Sequence, residues 1–183
     1  MTNRLKFLAA KLIIKIMIVG LVGGIIFSGC AKSSQNYSKN EKQEIISQMY
    51  AQYKQGLFPD IADIRINDLK KFSKSDLLYV DIRDKAEQDV SMLPGAITQQ
   101  QFESHQEQYK NKTIIAYCTI GNRSGRYIKN LNLPDLEVYN LIGGILAWAW
   151  ANNELVDSNG LTKRVHVYGP KWNLLPDDYL SVY

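Results

Sequence analysis

The sequence predicts an α/β fold: a mostly parallel central sheet with helices on both faces. Three observations carry this. Compact apolar runs at 77–82, 113–117 and 136–141 read as strands buried on both sides, as in parallel sheets. Segments of helical or polar character lie between them. Gly and Pro punctuate the junctions, at Pro94-Gly95, Gly121 and Gly143-Gly144.

Residues 41–56 place Ile45, Ile46, Met49, Tyr50 and Tyr53 at helical spacing, and Gly56 with Pro59 stops them. Residues 66–72 read as a short helix opened by Asn67 or Asp68. Leu77 to Ile82 is a buried strand that presents Asp81 near its end. Ala96-Ile97-Thr98 is a short strand after the Pro94-Gly95 turn. Residues 99–110 are polar and read as a surface helix. Thr113 to Tyr117 is a strand running straight into Cys118, with a helix from Ser124 to Leu131 behind it. Leu136 to Leu141 is a third strand. Gly143-Gly144 then turns the chain into a helix from Ile145 to Asn152. The last stretch is rich in Tyr, Trp, Pro and Asp. It reads as an extension packed on the domain, over a sheet edge or over the loop after Tyr117.

The N-terminus reads differently. Residues 1–29 carry Arg4, Lys6, Lys11 and Lys15 and no acid, which accounts for the formal net charge of +4. The remainder is formally neutral, so the sequence pI near 8.9 does not indicate nucleic-acid binding by the folded part. The apolar run from Ile16 to Phe27 is short beside the about 20 residues of a spanning helix and suits a signal h-region. It ends in Ser28-Gly29-Cys30, which resembles a bacterial lipobox, although Phe27 stands where an aliphatic residue is usual. A plain secretory signal or an uncleaved anchor is the alternative. The expected organisation is a lipoprotein signal peptide over 1–29, a flexible tether over 30–40, an N-terminal helix over 41–60, the sheet domain over 61–156 and the extension over 157–183. Acylation of Cys30 would hold the protein to a lipid bilayer in the cell envelope, on the extracytoplasmic side.

There are two cysteines. With Cys30 acylated, Cys118 has no disulfide partner and no multi-cysteine metal site is possible. Neither His105, in a polar run, nor His166, in an alternating one, forms a metal constellation, and no cofactor or metal is expected. Trp148, Trp150 and Trp172 read as core and tail packing. A lone buried cysteine is commonly structural. The residues on the C-terminal side of Cys118 argue for a reactive one. Ligands in parallel sheets bind beyond the carboxyl ends of strands. Gly121 frees the backbone to aim several N–H groups into one concavity, and Asn122 suits a left-handed turn. The next helix adds its N-terminal dipole, and Arg123 adds a fixed charge. Such a setting stabilises a thiolate or a bound anion.

The segment Cys118-Thr119-Ile120-Gly121-Asn122-Arg123-Ser124 resembles the Cys-x-x-Gly-x-Arg-Ser loop of single-domain rhodanese-like sulfurtransferases. Tyr79-Val80-Asp81-Ile82-Arg83 resembles the family's Asp-x-Arg strand end. Leu93-Pro94-Gly95-Ala96-Ile97 resembles its Ile-Pro-Gly-Ala element, and Leu141-Ile142-Gly143-Gly144-Ile145 with Trp148 its Gly-Gly-x-x-x-Trp signature. The resemblance spans roughly residues 62–156. Met92 stands where the family usually has His, and Asp84 where it usually has Glu.

The resemblance implies a rhodanese-like fold and a persulfide mechanism. Cys118 would take the outer sulfur of a small thiosulfate-like donor and yield it to a thiol or cyanide-like acceptor, or exchange it with a protein partner. Backbone N–H groups of residues 119–123 would hold the persulfide, with Thr119, Ile120, Gly121, Asn122, Arg123 and Ser124 forming the binding loop. Arg123 would brace the loop through Asp81 or another acid. Asp81 and Arg83 would organise it from behind, or form an ordinary ion pair at a strand end. Cysteine phosphatases use Cys-x5-Arg; the Cys118-x4-Arg123 spacing is one residue shorter and disfavours phosphate chemistry. A persulfide carrier without turnover and a thiol redox sensor remain alternatives.

Overall fold

The computed structural model describes residues 37–131 and 133–183. The signal peptide, Cys30 and most of the expected tether lie outside the described residues. Helix α1 spans Lys39–Leu57 and starts earlier than its apolar pattern suggests. The reason is a capping box: the Glu41 N–H donates to Ser38 Oγ at 3.3 Å, and the Ser38 N–H donates to Glu41 Oε2 at 2.7 Å.

The central sheet has five parallel strands: β1 (Asp63–Ile64), β2 (Leu77–Asp81), β3 (Ile97–Thr98), β4 (Thr113–Tyr117) and β5 (Val138–Leu141), in the order β1-β5-β4-β2-β3. Strand β4 is central and buried throughout. Strand β2 is buried only at Val80 and Asp81, the two residues that pair with the short β3; Leu77 to Tyr79 lie beyond it and are half-buried. Side chains alternate across the sheet. Ile115 and Tyr117 join the larger core with Ile46, Leu141, Leu146 and Trp148. Ile114 and Val80 join Phe102 in a smaller core on the opposite face.

The crossovers are helical. Short α2 (Lys85–Gln88) follows β2, α3 (Gln99–Ser104) follows β3, α4 (Asn122–Asn130) follows β4 and α5 (Gly144–Trp150) follows β5. The expected surface helix over 99–110 is split into α3 and a 3-10 turn at Gln106–Tyr109. The expected helix at 66–72 is a 3-10 helix, Ile66–Lys71, with no side-chain cap. Because β2 and β5 flank β4 on opposite sides, the loop leaving β4 opens into the crevice where parallel sheets bind ligands.

After α5 come an antiparallel hairpin, β6 (Leu155–Asp157) with β7 (Gly160–Thr162), and a parallel pair, β8 (Arg164–His166) with β9 (Leu180–Val182). Val165, Val167, Leu174 and Leu175 are buried in the larger core. Lys42 of α1 donates to the Leu175 carbonyl at 3.1 Å and meets Asp177 at 2.7 Å. Trp150 Nε1 donates to the Leu174 carbonyl at 2.8 Å. The extension therefore packs onto α1 and α5 rather than onto a sheet edge alone. No helix among the described residues is long and apolar enough to cross a membrane.

Candidate active site

Cys118 directly follows the last residue of β4 and is 1% exposed. The Gly121 N–H donates to its sulfur at 3.1 Å. Gly121 reaches that position at φ +100°, a left-handed conformation from which α4 begins. A Cβ at Gly121 would also lie 2.6 Å from the Tyr50 ring. The nine-residue α4 aims the positive end of its dipole at the thiol.

Two supports hold the loop from behind. The Ile145 N–H of α5 donates to the Cys118 carbonyl at 3.0 Å, and Leu146 N–H donates to the Thr119 carbonyl at 3.3 Å. Gly144 permits that approach: a Cβ there would lie 2.2 Å from the Cys118 carbonyl oxygen, on a backbone at φ +52°. The second support is buried Asn140 of β5. Its Nδ2 donates to the Gly121 carbonyl at 2.9 Å and to Tyr50 Oη at 3.0 Å, while its Oδ1 accepts from Ser124 Oγ at 2.7 Å. Tyr50 Oη donates in turn to Asp63 at 2.6 Å. Burial, then the Asp63 carboxylate, pushes the Tyr50 phenol far above its ordinary pKa, so it remains a neutral donor.

Arg123 does not reach Asp81. Its fork grips Glu87 of α2 with Nη1 to Oε2 at 2.6 Å and Nη2 to Oε1 at 2.8 Å, and Nη2 also donates to Thr119 Oγ1 at 3.1 Å. Thr119 Oγ1 itself donates to Glu87 Oε1 at 3.1 Å. A third contact runs from Arg123 Nη1 to Asp84 at 3.4 Å. The Glu87 carboxyl, 3% exposed at its side chain, is placed by a second capping box with Asp84. Burial raises the Glu87 pKa. The hydrogen bond and charge of Arg123, with smaller help from the Asp84 N–H and Arg83, outweigh it and hold it below its ordinary 4.5. For Arg123, burial disfavours the charge; Glu87 and the Cys118 sulfur more than offset it and raise the pKa.

The depressed Glu87 value carries a pH dependence. Its stabilising contribution is complete above the ordinary carboxylate value and is lost as pH falls through the folded one. Wild type should lose stability on acidification below about pH 4.5. Glu87→Gln should be less stable at neutral pH and lose less over the same acid window. Urea melts at both pH values check this; parallel losses in the two proteins count against it.

Asp81 and Arg83 form a different unit. Arg83 Nε and Nη2 donate to the two Asp81 oxygens at 2.9 and 2.6 Å, and both side chains are fully buried. Tyr117 Oη donates to Asp81 at 2.6 Å and accepts from the Leu93 N–H at 3.2 Å. This pair links the ends of β2 and β4 to the Pro94-Gly95 turn, and it does not line the cavity that holds the thiol.

That cavity has a volume of about 220 Å³. Cys118, Thr119, Ile120, Asn122 and Arg123 line its inner part; Ser124 points away, onto Asn140. Tyr53 of α1 with Tyr168 and Trp172 of the extension form the mouth. Trp172 packs against the larger core, as expected, and also lines this cavity. It sits on a 3-10 turn, Pro170–Trp172, that the pattern of the tail does not reveal. His105 is exposed, and His166 Nδ1 stands 4.0 Å from Glu87. Among the described residues, no group of three or more His, Cys, Asp or Glu side chains could hold a metal ion.

Several of these participants leave little trace in the sequence. Glu87 is detectable in principle, three residues after Asp84 in a capping-box pattern. Asn140, a polar residue inside an apolar strand, is a second signal. Tyr53 and Tyr168 carry none.

Residues 66–151 match the family model described as the rhodanese-like domain. The comparison with curated proteins found no match. Similar solved structures include a rhodanese-related protein from Thermoplasma volcanium, at 20% identity and TM-score 0.45, covering 52% of this chain and 97% of that one. Another is a rhodanese-like domain protein from Staphylococcus aureus, at 23% identity and TM-score 0.42, covering 55% and 96%. A thiosulfate sulfurtransferase from Pseudomonas aeruginosa matches at 16% identity and TM-score 0.46, over 63% of this chain and 23% of its own length.

Proposed function

We propose, on the premise that residues 66–151 form a rhodanese-like domain, that the protein is a sulfurtransferase working through a Cys118 persulfide. The single observation that carries this reading is the Cys118 loop itself. A thiol at a strand end receives the N–H of a helix N-cap at 3.1 Å and lines a cavity. In the first half-reaction the thiolate attacks the outer sulfur of a thiosulfate-like donor. The donor's S–S bond breaks, sulfite leaves with the electron pair, and Cys118 becomes a persulfide anion. In the second, cyanide or a thiolate attacks the terminal sulfur and the Cys118 thiolate is released. Arg123 supplies a fixed positive field beside the sulfur, while Glu87 and Thr119 hold the guanidinium in place.

Intact-mass measurement after exposure to thiosulfate tests the proposal. One added sulfur on the protein, removed by cyanide with formation of thiocyanate, is expected. Loading without thiocyanate would indicate a carrier, and no adduct with any sulfane donor would overturn the reading.

The run from Ile16 to Phe27 before Ser28-Gly29-Cys30 supports placing this chemistry at the cell envelope, on a lipid anchored through Cys30. Mass analysis of the mature protein from cells tests this. An N-terminus other than acylated Cys30 would refute it.

A further inference from the structure

We propose that the aromatic mouth of the Cys118 cavity binds the organic tail of the sulfur donor, so that aryl thiosulfonates are preferred over alkyl ones. This rests on the sulfur-transfer reading above. The cavity of about 220 Å³ is far larger than one transferred sulfur needs. Its floor is the anion-binding loop. Its rim is three rings, Tyr53, Tyr168 and Trp172.

The backbone at Tyr168 is unusual. The residue is non-glycine with φ +66° and its side chain is 59% exposed. A large ring in the left-handed region and in solvent is doubly unfavourable, and such outliers cluster at ligand sites. The conformation holds the ring 5.1 Å from the Arg123 guanidinium carbon. The Lys171 ammonium stands 5.7 Å over the Trp172 ring. Flat apolar faces interleaved with cations, above a cradle for an anionic sulfur, fit a ligand with an aromatic body and an anionic head.

The chemistry balances for that class. The Cys118 thiolate attacks the sulfane sulfur of an aryl thiosulfonate, ArSO₂–S⁻. A Cys118 S–S bond forms, the donor's S–S bond breaks, and aryl sulfinate leaves with the bonding electrons. The thiol proton has already gone to solvent. The mouth holds the aryl group through this exchange and then releases the sulfinate.

The test uses benzenethiosulfonate and methanethiosulfonate, which share one reactive group, with cyanide as acceptor and the full chain as enzyme. Trp172→Ala should lower the ratio of kcat/KM for the phenyl donor over the methyl donor about tenfold, and Trp172→Phe should keep most of it. A ratio unchanged in Trp172→Ala and Tyr53→Ala overturns the proposal while leaving sulfur transfer intact. A second arm needs no turnover: benzenesulfinate titrated by calorimetry into Cys118→Ser, with and without Trp172→Ala. Affinity about tenfold weaker in the double variant supports the tail site even if no donor loads Cys118, whereas equal affinities count against it.

Discussion

Cys118→Ser is expected to abolish thiocyanate formation from thiosulfate and cyanide, by about a thousandfold or more. The reaction needs a nucleophile that is anionic near neutral pH and can carry a second sulfur. A serine hydroxyl meets neither requirement. No other group lining the cavity can take over: the Thr119 hydroxyl is bonded to Glu87 and Arg123, and Cys118 is the free cysteine among the described residues. The substitution should leave the fold intact, because serine is smaller and its oxygen can accept the Gly121 N–H that now meets sulfur. Thiocyanate assays paired with thermal melts separate the two effects. Turnover retained with a native-like melt would remove Cys118 from the mechanism.

Arg83→Met should cost about 3–5 kcal/mol of stability. The Asp81–Arg83 pair is fully buried. Removing one partner strands the Asp81 carboxylate, leaving it, among the described residues, Tyr117 Oη and the Arg83 N–H as donors. The loss should be larger than any exposed pair of this protein could produce, since exposed pairs are screened by water. It also cuts the Arg83 Nη2 bond to the Ser91 carbonyl at 2.6 Å, so the turn at Pro94-Gly95 should loosen. Denaturant unfolding of Arg83→Met, Asp81→Asn and the double variant checks this. The double variant should recover part of the loss, because it no longer leaves an isolated charge. Strictly additive losses would mean the pair is not coupled.

The strand–helix alternation is legible because β2, β4 and β5 are runs whose apolar character needs no partner to be seen. Of the shorter strands, β3 is legible from the Pro94-Gly95 turn before it, and the others are not. Asp63–Ile64 and the pairs of the extension are shorter than any period, and only pairing defines them. The thiol loop is legible for a related reason, being contiguous in sequence. The partner of Arg123 is not: Glu87 lies 36 residues earlier and meets it only because β2 and β4 are neighbours. The mouth is least legible, since Tyr53, Tyr168 and Trp172 come from opposite ends of the chain. The expected bracing of Arg123 by an acid is legible in kind, and the fold supplies the particular acid.

Residues 53, 168 and 172 all lie outside the stretch 66–151 that bears the loop. Two parts of the chain thus meet in one cavity, one fixing which atom reacts and the other contributing what stands around it. Rim and reaction are therefore separable at Tyr168 and Trp172, which hold none of the backbone donors at Cys118, but not along α1, where Tyr50 packs on Gly121 and bonds the Asn140 that supports it.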